Sequence, residues 1–304
     1  MITQFTADDV PDQRGKRIFI TGANTGVGFE TAKVLAHKGA RVLLGCRNTD
    51  RGNEAVARIV GAHPEADVEL IHLDLADLAS VRRAAEAVGR EPQLDVLVNN
   101  AGVMWNPKTL TADGFESQFG VNHLGHFALT GLLLPNLEAA PSSRIVTVSS
   151  TGHRLGRGEI FFDDINAEGS YHPRKRYYAS KLANLLFTYE LDRRLRGAGS
   201  SSIAVAVHPG GSDTELTRHL PPFLQRSFKL MAPVMNTAAQ GAWPSELAAT
   251  ASGVEGGQYF GPSRYAELSG PAKQVESSKA SKDPVKARRL WDLSIEMTGV
   301  DPEV

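Results

Sequence analysis

The stretch RYYASKLANLLF, residues 176–187, sets two tyrosines just ahead of a lysine. A phenol titrates near 10 and exchanges protons poorly at neutral pH unless a nearby positive charge stabilises the phenolate. An ammonium about 4 Å away, at an effective dielectric near 20, contributes about 4 kcal/mol, or roughly three pKa units before desolvation is counted. Such a pair suits proton transfer to or from the oxygen of a carbonyl or alcohol. On a helix, positions i and i+4 share a face and i and i+3 nearly do. Tyr177 and Tyr178 therefore both qualify as partners of Lys181 on spacing alone, and the stretch also suits an ordinary amphipathic helix with LANLL as its buried stripe.

A second constellation lies near the start. TGANTGVG, residues 21–28, follows an apolar run and opens a helical pattern. Glycines at such a turn let the backbone approach a pyrophosphate, and the helix N-terminus adds free N–H groups and the positive dipole end. The spacing is G-x-x-x-G-x-G rather than the commoner G-x-G-x-x-G, and a tight strand-to-helix connection would also explain it. On the first unit of a parallel sheet it predicts dinucleotide binding through Gly22, Asn24, Thr25, Gly26, Val27 and Gly28. An acid about 20 positions further on would bind a ribose 2′-hydroxyl. Here the next strand ends LLGCRN, with Arg47 in that place. A guanidinium can hold a 2′-phosphate that a carboxylate would repel, so NADP(H) is favoured over NAD(H); the alternative is a solvated surface arginine. Cys46 beside it reads as a small hydrophobe. His123, His126, His153 and His208 lack the spacing of a zinc helix. No metal is expected, and these histidines read as packing or surface residues, with His153, close behind Ser150, the strongest exception.

These side chains need a scaffold. Strand-like runs at 17–21, 40–45, 67–73, 94–102, 143–150 and 202–211 alternate with helical patterns at 28–39, 50–62, 78–89, a long region reaching about 139, and about 177–196. The strand runs are continuously apolar, as expected when helices cover both faces. Strict alternation predicts an α/β fold, a single-domain doubly wound parallel sheet of Rossmann-like form, with ligands at the carboxyl ends of its strands. Ser150, and less favourably Ser149, ends the fifth strand beside that crevice. Residues 151–176 read as an irregular insertion. Residues 212–235, with Leu216, Leu220, Phe223 and Phe228, read as a C-terminal substrate lid, a packed helix or a subunit contact. The core is expected over about 15–260, with a helical tail at about 271–300 packed on its own domain or a neighbour's.

Composition narrows the function. The chain has 304 residues, 41% of them hydrophobic, and a net charge of −1, so there is material for a large core and no electrostatic case for nucleic acid. One cysteine suits a reducing compartment. The opening residues carry no apolar signal region, and the longest apolar run, 127–135, falls short of the ~20 residues of a membrane span. A soluble, cytoplasmic location is expected.

In order along the chain, TGANTGVG, NNAG (99–102), VNHLG (121–125), VTVSS (146–150), YYASK (177–181) and HPGGSDT (208–214) resemble the motifs of short-chain dehydrogenases/reductases over about residues 15–260. The family's Tyr-x-x-x-Lys pattern implies Tyr177 as the catalytic acid, with Lys181 lowering its pKa and holding the nicotinamide ribose. It further implies Ser150 on the substrate oxygen and Asn122 holding a water that leads to the lysine. Cofactor contacts are implied at Asp74 and Leu75, at Asn100, Ala101 and Gly102, and at Pro209, Gly210 and Thr214. Shorter members place the tyrosine closer behind the serine; here 27 residues separate Ser150 and Tyr177. That gap, GCRN (45–48) and SKLANLLF (180–187) resemble the branch of retinol dehydrogenases and protochlorophyllide reductases, without the N-terminal anchoring helix of many retinol dehydrogenases. The resemblance implies hydride transfer between NADP(H) and a carbonyl or alcohol of a bulky apolar substrate. Alternatives are reduction of a carbon–carbon double bond, or a non-catalytic dinucleotide sensor or scaffold. Association through the helices after the fourth and fifth strands would give a homodimer or homotetramer.

Overall fold

The computed structural model of the chain describes residues 4–211 and 235–304; the expected lid, apart from Met235, and Thr214 lie outside the described residues. Eight strands form one open sheet: β1 (Arg17–Thr21), β2 (Arg41–Cys46), β3 (Val68–His72), β4 (Val96–Asn99), β5 (Arg144–Val148), β6 (Ile203–Val207), β7 (Tyr259–Arg264) and β8 (Ser269–Gln274). Their order is β3-β2-β1-β4-β5-β6-β7-β8. Pairing is parallel from β3 through β7, and β8 returns antiparallel on β7. The chain changes direction across the sheet between β1 and β4, and the crevice beyond their carboxyl ends is where such sheets bind ligands.

The helices are α1 (Gly26–His37), α2 (Thr49–Ala62), α3 (Leu78–Gly89), α4 (Gly125–Glu138), α5 (Pro173–Gly197), α6 (Ala238–Thr250) and α7 (Pro284–Thr298). Alternate residues of each central strand enter opposite cores. Ile18, Ile20, Val42 and Leu44 meet Leu35, Ile59 and Leu247 on one face. Phe19, Leu43, Leu97 and Ile145 meet Val81, Leu133 and Phe187 on the other. That double burial is why the strands read as unbroken apolar runs. Outermost β3 is the exception, with Glu69 and His72 exposed.

Three differences from expectation have local causes. The sequences YFGPSR and SGPAKQ hold too much Gly, Pro and charge to read as strands, yet they form β7 and β8 at the sheet's margin, where proline is tolerated. Phe5 pairs with Ala272 along the free side of β8, covering an edge that would otherwise template association. The expected tail helix therefore begins as strand and turns helical only at Pro284. Helix α5 starts at Pro173 rather than about 177, because proline suits the first helical turn. Ahead of α4, a helical turn (Ser117–Phe119) passes into a π-helical stretch (Gly120–Leu124) that carries Asn122. Among the described residues, no helix is long and apolar enough to cross a membrane.

Candidate active site

Helix α5 is pinned to the end of β5 by polar contacts. Lys181 Nζ and Asn184 Nδ2 both donate to the Val148 carbonyl, at 3.1 and 3.0 Å, and Ser149 Oγ donates to the Lys181 carbonyl at 2.7 Å. These bonds set the helix one turn from the strand's end and engage Ser149 in packing. Ser150 is left on the side of the Tyr177 phenol, close enough for its hydroxyl to favour the phenolate. Its oxygen also accepts from Gly152 N at 3.1 Å, capping a short 3-10 turn over Thr151–Arg154. Tyr178 points elsewhere: its ring and Cβ lie against Gly152 and Gly156, where an added Cβ would come within 3.0 and 2.9 Å of it. Geometry thus brings Tyr177, Ser150 and Lys181 together and leaves Tyr178 and Ser149 supporting them.

Burial reverses the expected titration of the pair. Tyr177 is 7% exposed. Its desolvation, partly offset by Ser150, pushes the phenol up to about 12 rather than down. Desolvation likewise lowers Lys181 to about 8. The lysine nitrogen lies 5.9 Å from the centre of the Tyr177 ring, and its bond to Val148 draws it towards the strand. The phenol is therefore held protonated at neutral pH, and the lysine is poised between charged and neutral.

Asn122 grips the loop behind β4. Its Oδ1 accepts from Val103 N at 2.8 Å, and its Nδ2 donates to Val103 O at 3.0 Å and Ser180 Oγ at 2.9 Å. Both amide hydrogens are thus engaged by the protein, and its own carbonyl oxygen takes the His126 Nδ1 proton at 3.1 Å. Desolvation lowers His126 to about 4, so the ring is neutral and Nε2 accepts from Thr21 Oγ1 at 2.8 Å. The Thr21 oxygen in turn accepts from the N–H groups of Asn100 and Ala101, each at 2.9 Å. This relay of β1, β4 and α4 fixes the segment Asn100–Gly102 beside Lys181. At Gly102 a Cβ would stand 3.2 Å from Asn122 Oδ1 and 3.4 Å from Lys181 Nζ, so bare backbone faces the lysine.

The turn after β1 fits a dinucleotide phosphate. Gly22 has φ 66°, and an added Cβ would meet Ala101 at 2.9 Å. At Gly28 one would meet Asn100 Nδ2 at 2.4 Å, so this glycine seats α1 closely on β4. Thr25, at the N-cap of α1, makes no side-chain cap bond, which leaves the first-turn N–H groups beside Gly26 and Val27 for an anion. Cys46 lies beneath, near the backbone of Ala23 and Asn24, with burial raising its thiol to about 11; it is structural. Arg47 is exposed at the end of β2 and has no ion-pair partner among the described residues. Asp74 Oδ1 accepts from Ala76 N at 3.0 Å after β3, and Leu75 is buried against Gly125.

A charged hub closes the other side. His208, fully buried before Pro209, bonds through Nε2 to Glu267 Oε2 at 3.0 Å and through Nδ1 to the N–H of Gly210 at 3.2 Å. Arg154 holds Glu267 with two bonds of 3.0 and 3.1 Å. Burial opposes ionisation of Glu267, but these partners keep its carboxyl low, at about 2. Glu267 sits in a β7–β8 turn where Tyr265, Ala266 and Glu267 all have positive φ, of 50°, 53° and 68°. His153 donates from Nδ1 to Ser150 O at 2.6 Å and accepts from Ser278 N at 3.1 Å. It supports the serine without facing the cleft. His123 is enclosed by Phe119, Phe127 and Phe187 and bonds Ser294 at 2.8 Å. No group of described residues could hold a metal ion. The roles of Thr21, His126 and Glu267 carried no signal in sequence beyond the i, i+4 spacing of Asn122 and His126.

Residues 16–224 match the family model for short chain dehydrogenase. Human retinol dehydrogenase 12 is 43% identical over 289 residues, covering 94% of this chain and 87% of that protein. Mouse retinol dehydrogenase 14 is 46% identical over 303 residues, covering 94% and 86%. Among solved structures, an uncharacterised protein of Mycobacterium paratuberculosis matches with a TM-score of 0.82 and 41% identity, covering 99% of this chain and all of that one. A protein of Beutenbergia cavernae, described as an NAD(P)-dependent gluconate 5-dehydrogenase and solved with NADP, matches with a TM-score of 0.66 and 26% identity over 82% of this chain and 96% of that one. Motif order, sheet topology and these likenesses agree: the chain is an oxidoreductase of the short-chain dehydrogenase family, of the retinol dehydrogenase-like kind.

Proposed function

We propose that the protein transfers hydride between NADP(H) and the carbonyl or alcohol carbon of a bulky apolar substrate. The observation that carries this reading is the buried Tyr177 phenol, with Ser150 beside it and Lys181 behind it at the carboxyl end of β5. The nicotinamide supplies the hydride when bound. Every other task falls to the chain. Ser150 orients the substrate oxygen, and Tyr177, protonated at neutral pH, donates its proton to that oxygen as negative charge develops. Lys181 offsets the phenolate charge left on Tyr177 and has donor capacity beyond its one bond to Val148 for a ribose hydroxyl. Asn122, gripping Val103 and Ser180, keeps that lysine's wall in place. In the oxidative direction the same groups act in reverse.

The preference for NADP(H) rests on Arg47, an exposed guanidinium at the place where a carboxylate would select NAD(H). The apolar substrate is supported by relatives named retinol dehydrogenase. Titration of the protein with NADPH and NADH tests the cofactor reading. NADPH is expected to bind at least about tenfold tighter, and Arg47→Asp to abolish the difference. Equal binding, or a preference that survives the substitution, would remove Arg47 from this role.

A further inference from the structure

Two features close to Tyr177 take no part in the chemistry above. Trp105, three residues past Gly102, has a left-handed backbone with φ 56°. That conformation is costly for a bulky residue and gathers at functional sites. Its indole Nε1 is buried without a hydrogen-bond partner among the described residues, as is Asn106 Oδ1 next to it. Arg174, three residues before Tyr177 on α5, lays its guanidinium over the Trp105 ring, 4.8 Å from the ring centre. It is exposed, and among the described residues it has neither a carboxylate nor a hydrogen-bond partner.

The stack is held from both sides. Gln118, fully buried, accepts from Trp105 N at 2.8 Å and donates to Pro173 O and Tyr171 OH, each at 3.0 Å. Tyr171 OH donates to Asn106 O at 2.7 Å. The loop carrying Trp105 and the start of α5 are thus fixed to each other. Helical rise places Arg174 about 4.5 Å from Tyr177 along the axis and nearly on the same face. With its guanidinium over the ring and no N–H engaged among the described residues, Arg174 keeps its donors available to a carboxylate. Acids of the flanking segments do not compete: Asp164 pairs with Arg176 at 2.7 Å, and Glu116 caps Gln118 and Phe119.

We propose that Arg174, seated on Trp105, is a substrate subsite for a carboxylate. On this view the natural substrate is an apolar carbonyl compound or alcohol whose remote end is anionic, as in an ω-oxo or ω-hydroxy fatty acid. The proposal rests on the oxidoreductase reading of the same cleft.

Calorimetric titration with ω-hydroxydodecanoate and with dodecanediol tests it without turnover, since the two share chain and alcohol and differ only in the remote carboxylate. The wild type is expected to bind the hydroxy acid at least about tenfold tighter, and Arg174→Gln to bring the ratio to about twofold or less. Equal binding of the two by the wild type overturns the subsite. So does a preference that survives in Arg174→Gln, which would put the carboxylate against Lys181 instead. A parallel assay of dodecanal reduction with NADPH separates the two readings. Preference without turnover keeps the subsite and rejects the carbonyl-reductase reading; turnover without preference does the opposite.

Discussion

Lys181 is the residue whose behaviour differs most from its expected role. Its spacing from Tyr177 was legible, and motif resemblance chose Tyr177 over Tyr178. The direction of the titration was not, because spacing carries no information about depth, and desolvation of both groups outweighs their mutual attraction. The consequence is measurable. With Lys181 lowered to about 8 by burial, its positive charge is present below that value and lost above it. Carbonyl reduction is therefore expected to decline as pH rises through about 8, while the phenol, at about 12, stays protonated throughout. Lys181→Met should remove this limb and lower kcat by about a hundredfold or more. A profile of kcat against pH in both proteins checks it, and an unchanged limb in the variant assigns the titration elsewhere. Motif resemblance likewise favoured Ser150 over Ser149, and the bond from Ser149 Oγ to the Lys181 carbonyl engages the latter in packing.

At the scale of elements, β1, β2, β4, β5 and β6 were readable because each is buried on both faces, and outer β3 from its place in the alternation, whereas β7 and β8 were not, being marginal and rich in Gly and Pro. The hub built on their turn was invisible for the same reason. Glu267 joins that turn to the Ser150 turn through Arg154 and to the Pro209 loop through His208. Glu267→Gln is expected to cost about 1–3 kcal/mol in urea unfolding and to lower kcat more than it raises KM, because it loosens the walls of the site rather than a substrate contact. A variant with wild-type kcat would reduce the hub to a stability role. Between α1 and α6 lies a buried acid. Glu246 is fully buried, neither carboxylate oxygen has a partner among the described residues, and desolvation, with a smaller push from Glu30, raises its pKa from 4.5 to about 8. The folded state thus holds this proton more tightly than the unfolded chain. Stability should fall as pH rises from about 4.5 to about 8, by a few kcal/mol at most, at about 1.4 kcal/mol per unit of pKa difference. Glu246→Met is expected to flatten that slope and raise Tm at alkaline pH; a slope as steep as the wild type's would place its origin in another group.

Over the whole molecule, the amphipathic pattern near the C-terminus was legible but its partner was not. Helix α7 docks on its own domain: Trp291 stacks on Phe187, their ring centres 6.0 Å apart and their planes 19° apart, and meets Phe127 edge-on at 5.1 Å. It thereby covers α4 and α5, the helices expected to carry a dimer or tetramer. Light scattering is expected to give a mass near 32.7 kDa; a multiple of it would require an interface away from this face or displacement of Trp291. Trp291→Ala should destabilise the fold by about 3–5 kcal/mol, readable as a lower urea midpoint.

The central claim is that a buried phenol, served by Ser150 and Lys181, passes the proton of a carbonyl reduction. The most direct measurement follows NADPH oxidation with retinal in the wild type and in Tyr177→Phe. Turnover by the wild type, and a loss of about a thousandfold in a variant that melts as the wild type does, is the predicted result. Equal rates in the two proteins would contradict it.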